Sequence, residues 1–551
     1  MASYSQIAPI VAALPAERQA AARHYGVHPY FTRRPANVVR AYVEHYSRVG
    51  DTVLDPFGGT GVTAIESLLA GRRAIHNDLN PFANFITANI ADTSLASTVP
   101  LKQAFTRIET ACAGRVAEIE QADEARVREW LRTLPLPANI PLPRNSDAES
   151  FHDLFTPRQL AGLSTLKQAL DAETDQHVRG PLLLAWSATV AKLNKTFLSA
   201  EGRAESRGGS SIFSIYRYKL ANRVIELPIW ETFRGRFINV LAAKEEVLQL
   251  CDHFNLTHPA RCRVNSDTHL QVLAQDAAAL ALGPRSVDYV FTDPPYGAHI
   301  AYLDLSILWN HWLGFPVTAA TRAAEAIVGG ECGLSEDHYK QKLADSLREC
   351  FRVLKPDRWC SVVFQHWDAS YFATILETAR ECGGTLKAAV TQERDVIWSM
   401  HKKKNSENVL SGEMILTFHK PATRSHAAAR RTAGAVSFEQ ILDTVLERRS
   451  GESDAFTSEF LFNQVILEAW RRDCLSALLV KREGFAAHLR SRAWHYDPKA
   501  NLWSQSVTAP TADLLFALHE TPAAYAANAQ PVAKKAPTRR ARRRGRARAM
   551  R

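Results

Sequence analysis

The chain has 551 residues and a formal net charge of +10, with 46% hydrophobic and 23% charged residues, proportions of a soluble globular protein with several domains or large insertions. No apolar run reaches the ~18–20 residues that cross a bilayer, and the opening MASYSQIAPIVAALPAERQ lacks the basic start and long apolar stretch of a signal peptide, so a cytoplasmic chain without a membrane partner is expected. The positive charge sits in one place: the run from Lys534 to Arg551 holds ten basic residues and no acidic one, so the body is close to neutral and the pI of 9.2 describes a tail.

In chain order, residues 36–46 (ANVVRAYVEHY) read as a helix, followed by a Gly50-Asp51 turn. Residues 52–55 read as a short buried strand, 56–61 as a tight glycine loop, 62–70 as a helix closed by Gly71, and 73–78 as a second strand. This unit opens a doubly wound α/β sheet. From about residue 95 to 262 the strand signal fades and helical periodicity takes over, with helices expected at 116–131, 157–170 and 181–197 inside a long, mostly helical insertion. Strands resume at 270–275 and 287–292. A helix at 339–354 is stopped by Lys355-Pro356, then come a strand at 360–365, a helix at 369–381 and strands at 386–392 and 413–419. An Ala/Arg/Thr-rich linker over 422–435 precedes a small, mostly helical module and a disordered tail.

The eight cysteines are scattered and form no C-x-x-C pair, so no zinc ribbon, disulfide framework or other metal site is expected.

Asp55-Pro56-Phe57-Gly58-Gly59-Thr60-Gly61-Val62-Thr63 lies where a strand turns into a helix. Glycines let backbone come within contact distance of a ligand, and the helix start supplies free N–H donors. Such a loop usually holds a pyrophosphate, but Asp55 at its start repels an anion. A zwitterionic methionine moiety fits better, its α-ammonium pairing with that carboxylate. Asp78, ending the next strand, is placed to accept from ribose hydroxyls. Asp276, after the third strand, is placed to accept an adenine amine of the same ligand.

Asp293-Pro294-Pro295-Tyr296 follows strand 287–292, whose end should lie beside the glycine loop. An exocyclic base amine is a poor nucleophile, because its lone pair is delocalised into the ring. Accepting its hydrogens on the Asp293 carboxylate and the Pro294 carbonyl favours a pyramidal nitrogen. The prolines stiffen the loop, and Tyr296 offers a flat face to a base taken out of the helix. No Pro-Cys pair exists in the chain, which argues against attack through cytosine C5.

These residues together resemble the S-adenosylmethionine-dependent amino-methyltransferases of DNA, the site-specific N6-adenine and N4-cytosine methylases. Further matches are the lead-in from His28 through Arg34 and Pro35, the turn Asn77-Asp78-Leu79-Asn80-Pro81, the Tyr302-Leu303-Asp304-Leu305-Ser306 segment, and the closing Gly412-Glu413-Met414-Ile415-Leu416-Thr417-Phe418. The resemblance covers residues 26–95 and 265–421. It implies a Rossmann-like seven-stranded sheet with a reversed last strand, and S-adenosyl-L-methionine as cofactor. It assigns cofactor binding to Arg34, Pro35, Asp55, Pro56, Phe57, Gly58, Gly59, Gly61, Thr63, Asp78, Asn80 and Asp276, and catalysis to Asp293, Pro294, Pro295 and Tyr296. It implies double-stranded DNA as partner, a nucleoid-associated location, and adenine N6 ahead of cytosine N4 or an RNA amine. A restriction or defence partner cannot be identified from the sequence. Two departures stand out: the glycine loop precedes the catalytic loop, and Arg34 holds the position often taken by Lys.

The domains are then a lead-in and cofactor half at 1–95, the insertion at 96–262 as target-recognition element, a catalytic half at 263–421, a C-terminal module at 436–520 and a basic tail at 521–551. Within the insertion, the stretch from Arg203 to Ser210 and Lys192-Leu193-Asn194-Lys195 are candidate DNA contacts, balanced against ordinary solvated surface. Lys402-Lys403-Lys404, between the last two strands, is placed to meet the DNA backbone near the flipped base or to be an ordinary exposed hairpin loop, and Arg544-Gly545-Arg546 suits non-specific phosphate attraction only. Trp309 and Trp312, at helical spacing, are expected in the core.

Overall fold

A computed structural model describes residues 3–17, 23–199, 208–253, 269–298, 300–392, 410, 412–423, 436–449, 455–478 and 482–505. Lys402-Lys403-Lys404, Arg203 to Arg207, most of the 422–435 linker, and the tail with Arg544-Gly545-Arg546 lie outside those residues.

The lead-in helix α1 (Ala36–Tyr46) is followed by β1 (Thr52–Asp55), α2 (Val62–Leu69), β2 (Arg73–Asn77) and α3 (Pro81–Ala91). Four insertion helices come next: α4 (Val99–Gln121), α5 (Glu124–Leu131), α6 (Pro157–Asp171) and α7 (Gln176–Val190). A short hairpin of β3 (Phe197–Ser199) and β4 (Gly208–Ser210) leads to α8 (Ile229–His253). The sheet then resumes with β5 (Leu270–Leu273) and β6 (Val287–Thr292), and continues through α9 (Glu336–Val353), β7 (Leu354–Phe364), α10 (Ala369–Glu381), β8 (Thr385–Gln392) and β9 (Glu413–Lys420).

The seven strands run in the order β5-β2-β1-β6-β7-β9-β8. The first five are parallel, and β9 runs antiparallel between β7 and β8. This is the Rossmann-like sheet with a reversed last strand that the motifs implied. Strand order changes direction between β1 and β6, the switch point where such sheets bind ligands beyond the carboxyl ends of their strands.

Alternate residues face opposite sides, as the two-residue strand period requires. Val53, Ala74, Tyr289, Phe291, Trp359 and Ile415 join one core with α1, α2, α3 and the insertion. Leu54, Ile75, Val290, Cys360, Val362 and Leu416 join another with α9, α10 and the C-terminal region. The insertion is therefore a layer on one face of the sheet, and Trp309 and Trp312 are buried in it.

Several boundaries depart from the sequence reading. The expected helix 116–131 is two helices, because extended Asp123 caps α5 by accepting from the Arg126 N–H. Asp175 caps α7 upstream of Pro181, so the helix starts and ends earlier than 181–197. Helix α8, which periodicity did not reveal, has 25 residues. Ser335 caps α9 a turn before residue 339. Lys355-Pro356 does not separate helix from strand: β7 starts at once, and the proline falls where the ladder shifts register, beside Asp357 at φ +55°. The C-terminal module is mostly helical, as expected, and carries a small sheet as well. Helices α11 (Phe438–Arg449), α12 (Ser458–Arg471) and α13 (Arg482–Ser491) are joined by a sheet of β10 (Ala455–Phe456), β11 (Trp494–Asp497) and β12 (Leu502–Gln505). No helix among the described residues is long and apolar enough to cross a membrane.

Candidate active site

The glycine loop is built against β2. Gly58 donates its N–H to the Asn77 carbonyl at 2.8 Å, and Gly61 donates to Gly58 at 2.8 Å. A Cβ on Gly58 would lie 2.2 Å from His76 Nδ1, and one on Gly61 would lie 2.3 Å from Thr87 Cγ2. Gly59 and Gly61 also have φ of +53° and +79°, so these two positions need glycine for conformation and Gly58 needs it for space.

Asp55 is buried at the end of β1. It accepts from the Thr63 hydroxyl (2.7 Å), the Phe57 N–H (3.1 Å) and the Thr292 hydroxyl (3.0 Å). Burial pushes its carboxyl up to about 7 in spite of those donors. Asp78 accepts from the Gly59 and Asn80 N–H groups at 2.8 Å each, and burial raises it to about 6. Neither carboxylate has a cation within ion-pair distance among the described residues. Thr63 thus acts through Asp55, and the Pro56 carbonyl accepts from Asn77, whose amide also ties to Gln275. Phe57 shares an apolar recess with Thr292, Pro294, Leu343 and Leu347.

Asn80 follows Asp78 in the turn, and its N–H donates to that carboxylate. It caps α3 by accepting from Phe82, accepts from Asn310, and donates to Ser306 and Tyr30, so its amide is fully engaged within the protein. Asp276 accepts from Ala278 and forms an ion pair with Lys342 of α9, a partner that sequence reasoning missed.

The catalytic loop leaves β6 beside Asp55, because β1 and β6 pair Val53 with Tyr289 and Leu54 with Val290. Thr292 bonds to Asp55, and the next residue is Asp293. The Asp293 carboxylate holds the Arg34 guanidinium in a fork, Nε to Oδ2 at 2.5 Å and Nη2 to Oδ1 at 2.7 Å. The Tyr296 hydroxyl donates to Asp293 Oδ1 at 2.9 Å and accepts from Arg34 at 2.6 Å. Arg34 Nη1 also pairs with buried Glu413 at the start of β9. Arg34, expected at the cofactor, instead bridges two carboxylates at the catalytic loop, while Pro35 precedes α1 as its cap residue. Burial acts against the charged guanidinium, but the carboxylates outweigh it and hold Arg34 well above its ordinary range.

The Pro295 carbonyl accepts from the Tyr339 hydroxyl at 2.6 Å, which pins the loop. Among the described residues nothing donates to the Pro294 carbonyl. The Tyr296 ring stands edge-on to Phe364, with centroids 5.1 Å apart.

The insertion reaches this region through Tyr218, whose hydroxyl donates to the carbonyls of Asp304 and Leu305. Phe213 packs on Phe31 of the lead-in and on Trp309. In Lys192-Leu193-Asn194-Lys195 the middle pair is core, which leaves only the lysines to contact a partner.

Residues 9–87 match the family model described as DNA methylase, of the N6/N4 group. The chain is 30% identical over 66 residues to the Type II methyltransferase M.MjaII of Methanocaldococcus jannaschii, a stretch that spans 12% of each protein. A SAM-dependent methyltransferase structure from Methanosarcina mazei aligns with 32% of this chain and 79% of its own at 10% identity. Its TM-score of 0.17 gives that likeness no weight for fold or function.

Proposed function

We propose that this protein transfers a methyl group from S-adenosylmethionine to an exocyclic amine of a DNA base, adenine N6 ahead of cytosine N4. The observation that carries the reading is the direct join of the two half-sites: Asp55 of the glycine loop accepts from Thr292, the residue before Asp293. A ligand held on that loop lies next to a group held by the catalytic loop.

The residues present fit such a cofactor. Asp55 is buried and Asp78 partly buried, both without a cation among the described residues, a costly state that an ammonium and ribose hydroxyls would relieve. Asp276, already polarised by Lys342, is the candidate acceptor for the adenine amine. When bound, the cofactor supplies an electrophilic methyl group on a sulfonium. The protein's own task is to orient the amine and exclude water.

Asp293 and the Pro294 carbonyl are the two acceptors for the amine hydrogens. In the structure described, Arg34 occupies Asp293, so its N–H donors stand where the amine's donors would bind. Entry of the base requires Arg34 to shift, and Glu413 is the group that keeps its charge matched as it does. Tyr296 offers the base a face once Arg34 moves. The favoured substrate is duplex DNA, with the insertion as the reader of sequence.

Purified protein with methyl-labelled S-adenosylmethionine should label duplex DNA, and nucleoside digestion should return N6-methyladenine. Asp293→Ala should abolish labelling and leave cofactor binding within about threefold, since it removes an acceptor used only by the base. Label recovered in RNA and not in DNA would overturn the reading, and N4-methylcytosine would correct its target.

A further inference from the structure

The insertion holds a loop that is braced from within and yet leaves two adjacent apolar side chains outside. Just after the short helical turn Ser211–Ser214, Ile215 is 41% exposed and Tyr216 36% exposed. Tyr216 also has a φ of +57°, and it is the one aromatic among the described non-glycine residues in the left-handed region. A bulky side chain is strained there, and such strain persists where the surroundings over-determine it, as they do at ligand-contacting sites.

The surroundings of this loop do so. The Ser211 hydroxyl donates to the Lys219 carbonyl at 2.8 Å and accepts from the Lys219 N–H at 3.1 Å. Asp147 holds the Arg217 guanidinium and accepts from the Leu220 N–H at 3.1 Å, while its own N–H donates to the Tyr218 carbonyl at 2.9 Å. Tyr218 is the buried root of the loop, and its hydroxyl accepts from the Leu308 N–H at 3.2 Å. On the other flank Phe213 packs on Phe31 and Phe31 on Tyr302, with centroids 5.5 and 5.6 Å apart. Burial and then the nearby Asp293 carboxylate push the Tyr302 hydroxyl up. A short chain of ring contacts therefore joins the loop to the neighbourhood of the catalytic carboxylate.

Charge selects the occupant. Residues 208–225 hold Arg217, Lys219 and Arg223 and no acidic residue. Lys219 is exposed and meets no carboxylate within ion-pair distance among the described residues. A second copy of the chain would set these like charges against each other. Duplex DNA takes cations at its phosphates and admits apolar side chains between its base steps.

We propose that Ile215 and Tyr216 form a wedge that enters the base stack of duplex DNA beside the target nucleotide and fills the space its base leaves. The inference rests on the methyltransferase reading, in which the base leaves the stack, and adds to it two residues which that reading does not use. Because the loop is already fixed by Ser211, Asp147 and Tyr218, little conformational freedom is lost on insertion.

The test uses the full chain and two synthetic duplexes. Sequencing of genomic DNA methylated by wild type first locates the modified site. One duplex then carries that site fully matched, and the other has an abasic residue opposite the target base, which weakens the stack in advance. Ile215→Ser/Tyr216→Gly removes both side chains, and glycine accepts the left-handed φ, so the variant should melt at or above wild type. Its kcat/KM on the matched duplex should fall about 10- to 100-fold, the worth of one stacked base. On the abasic duplex it should come within about threefold of wild type. Equal loss on both duplexes would assign the loop a structural or general binding role and overturn the proposal. An unchanged rate on the matched duplex would overturn it too, and an accompanying change in solution mass would assign the tip to a second copy. Wild type that methylates no DNA would sink the methyltransferase reading itself, and this inference with it.

Discussion

Gly58 gives the sharpest link between a single atom and the cofactor loop. Its φ is outside the left-handed region, so alanine is conformationally acceptable there, and on chain entropy alone Gly58→Ala should stabilise by roughly 0.4–1 kcal/mol. Space decides otherwise. The new Cβ would stand 2.2 Å from His76 Nδ1 and 2.4 Å from Cε1. His76 is fully buried, and its Nε2 is bonded to Asn84 at 3.0 Å, so the ring has no easy retreat. Relief must come from breaking that bond or lifting the loop off the Asn77 carbonyl. Overpacking costs about 1–3 kcal/mol and a lost buried hydrogen bond about 1 more. Set against the entropic gain, Gly58→Ala should destabilise by about 2–3 kcal/mol in chemical denaturation and weaken cofactor binding at least tenfold. His76→Ala supplies the control. It removes the obstacle, so in that background the same change should be neutral or stabilising, a coupling of about 2–3 kcal/mol. A Gly58→Ala penalty that persists unchanged in the His76→Ala background would refute the steric argument.

Two further outcomes follow from charge. Arg34→Met strands Asp293 and Glu413 without their cation and should cost about 3–5 kcal/mol; Arg34→Met/Glu413→Gln should cost less than the sum of its parts, and additive losses in denaturation would disprove the shared bridge. Asp55 supplies a pH dependence. Its folded pKa of about 7 lies above the ordinary 3.8, so the folded state takes up this proton first; the carboxyl detracts from stability in full above pH ~7, and that penalty fades as pH falls from 7 and is gone below the ordinary value. An ammonium needs the ionised form, so cofactor affinity should fall up to about tenfold per pH unit below 7. Asp55→Asn should flatten that titration, and a wild-type affinity constant from pH 5.5 to 7.5 would exclude the pairing.

The parts of this molecule legible in the sequence are those governed by short-range rules. Strand β6 was marked by Val287, Tyr289, Val290 and Phe291 running into Asp293-Pro294, and the glycine loop by a strand running into glycines and then a helix. The seven-stranded sheet with its reversed last strand came from the family resemblance and not from any local pattern. Arg34 shows where that reasoning stops. Its partners lie 259 and 379 residues away, and no local periodicity reports a pair formed by the closure of a sheet. Glu413 looked like one more strand residue, and Lys342 one more polar position on α9, until folding set Glu413 beside Arg34 and Lys342 beside Asp276. Asn80 failed in the other direction: its turn motif is intact, but Ser306 and Asn310 use up the amide. Helix α8 escaped notice because it packs on several sides and lacks a clean apolar stripe.

The placement of the insertion has a consequence for how such a chain can diversify. It joins β2 to β5, neighbouring strands, across roughly 190 residues, where a connection of about 15 would suffice. For a flexible linker that difference in loop closure amounts to only about 2 kcal/mol, and α4 to α8 reduce it further by folding into a layer of their own. The backbone pairing of β1 with β6 does not run through the residues carried between β2 and β5, which meet those strands only by packing on one face. Whatever stands between β2 and β5, the hydrogen bond from Thr292 to Asp55 is made by residues outside that stretch.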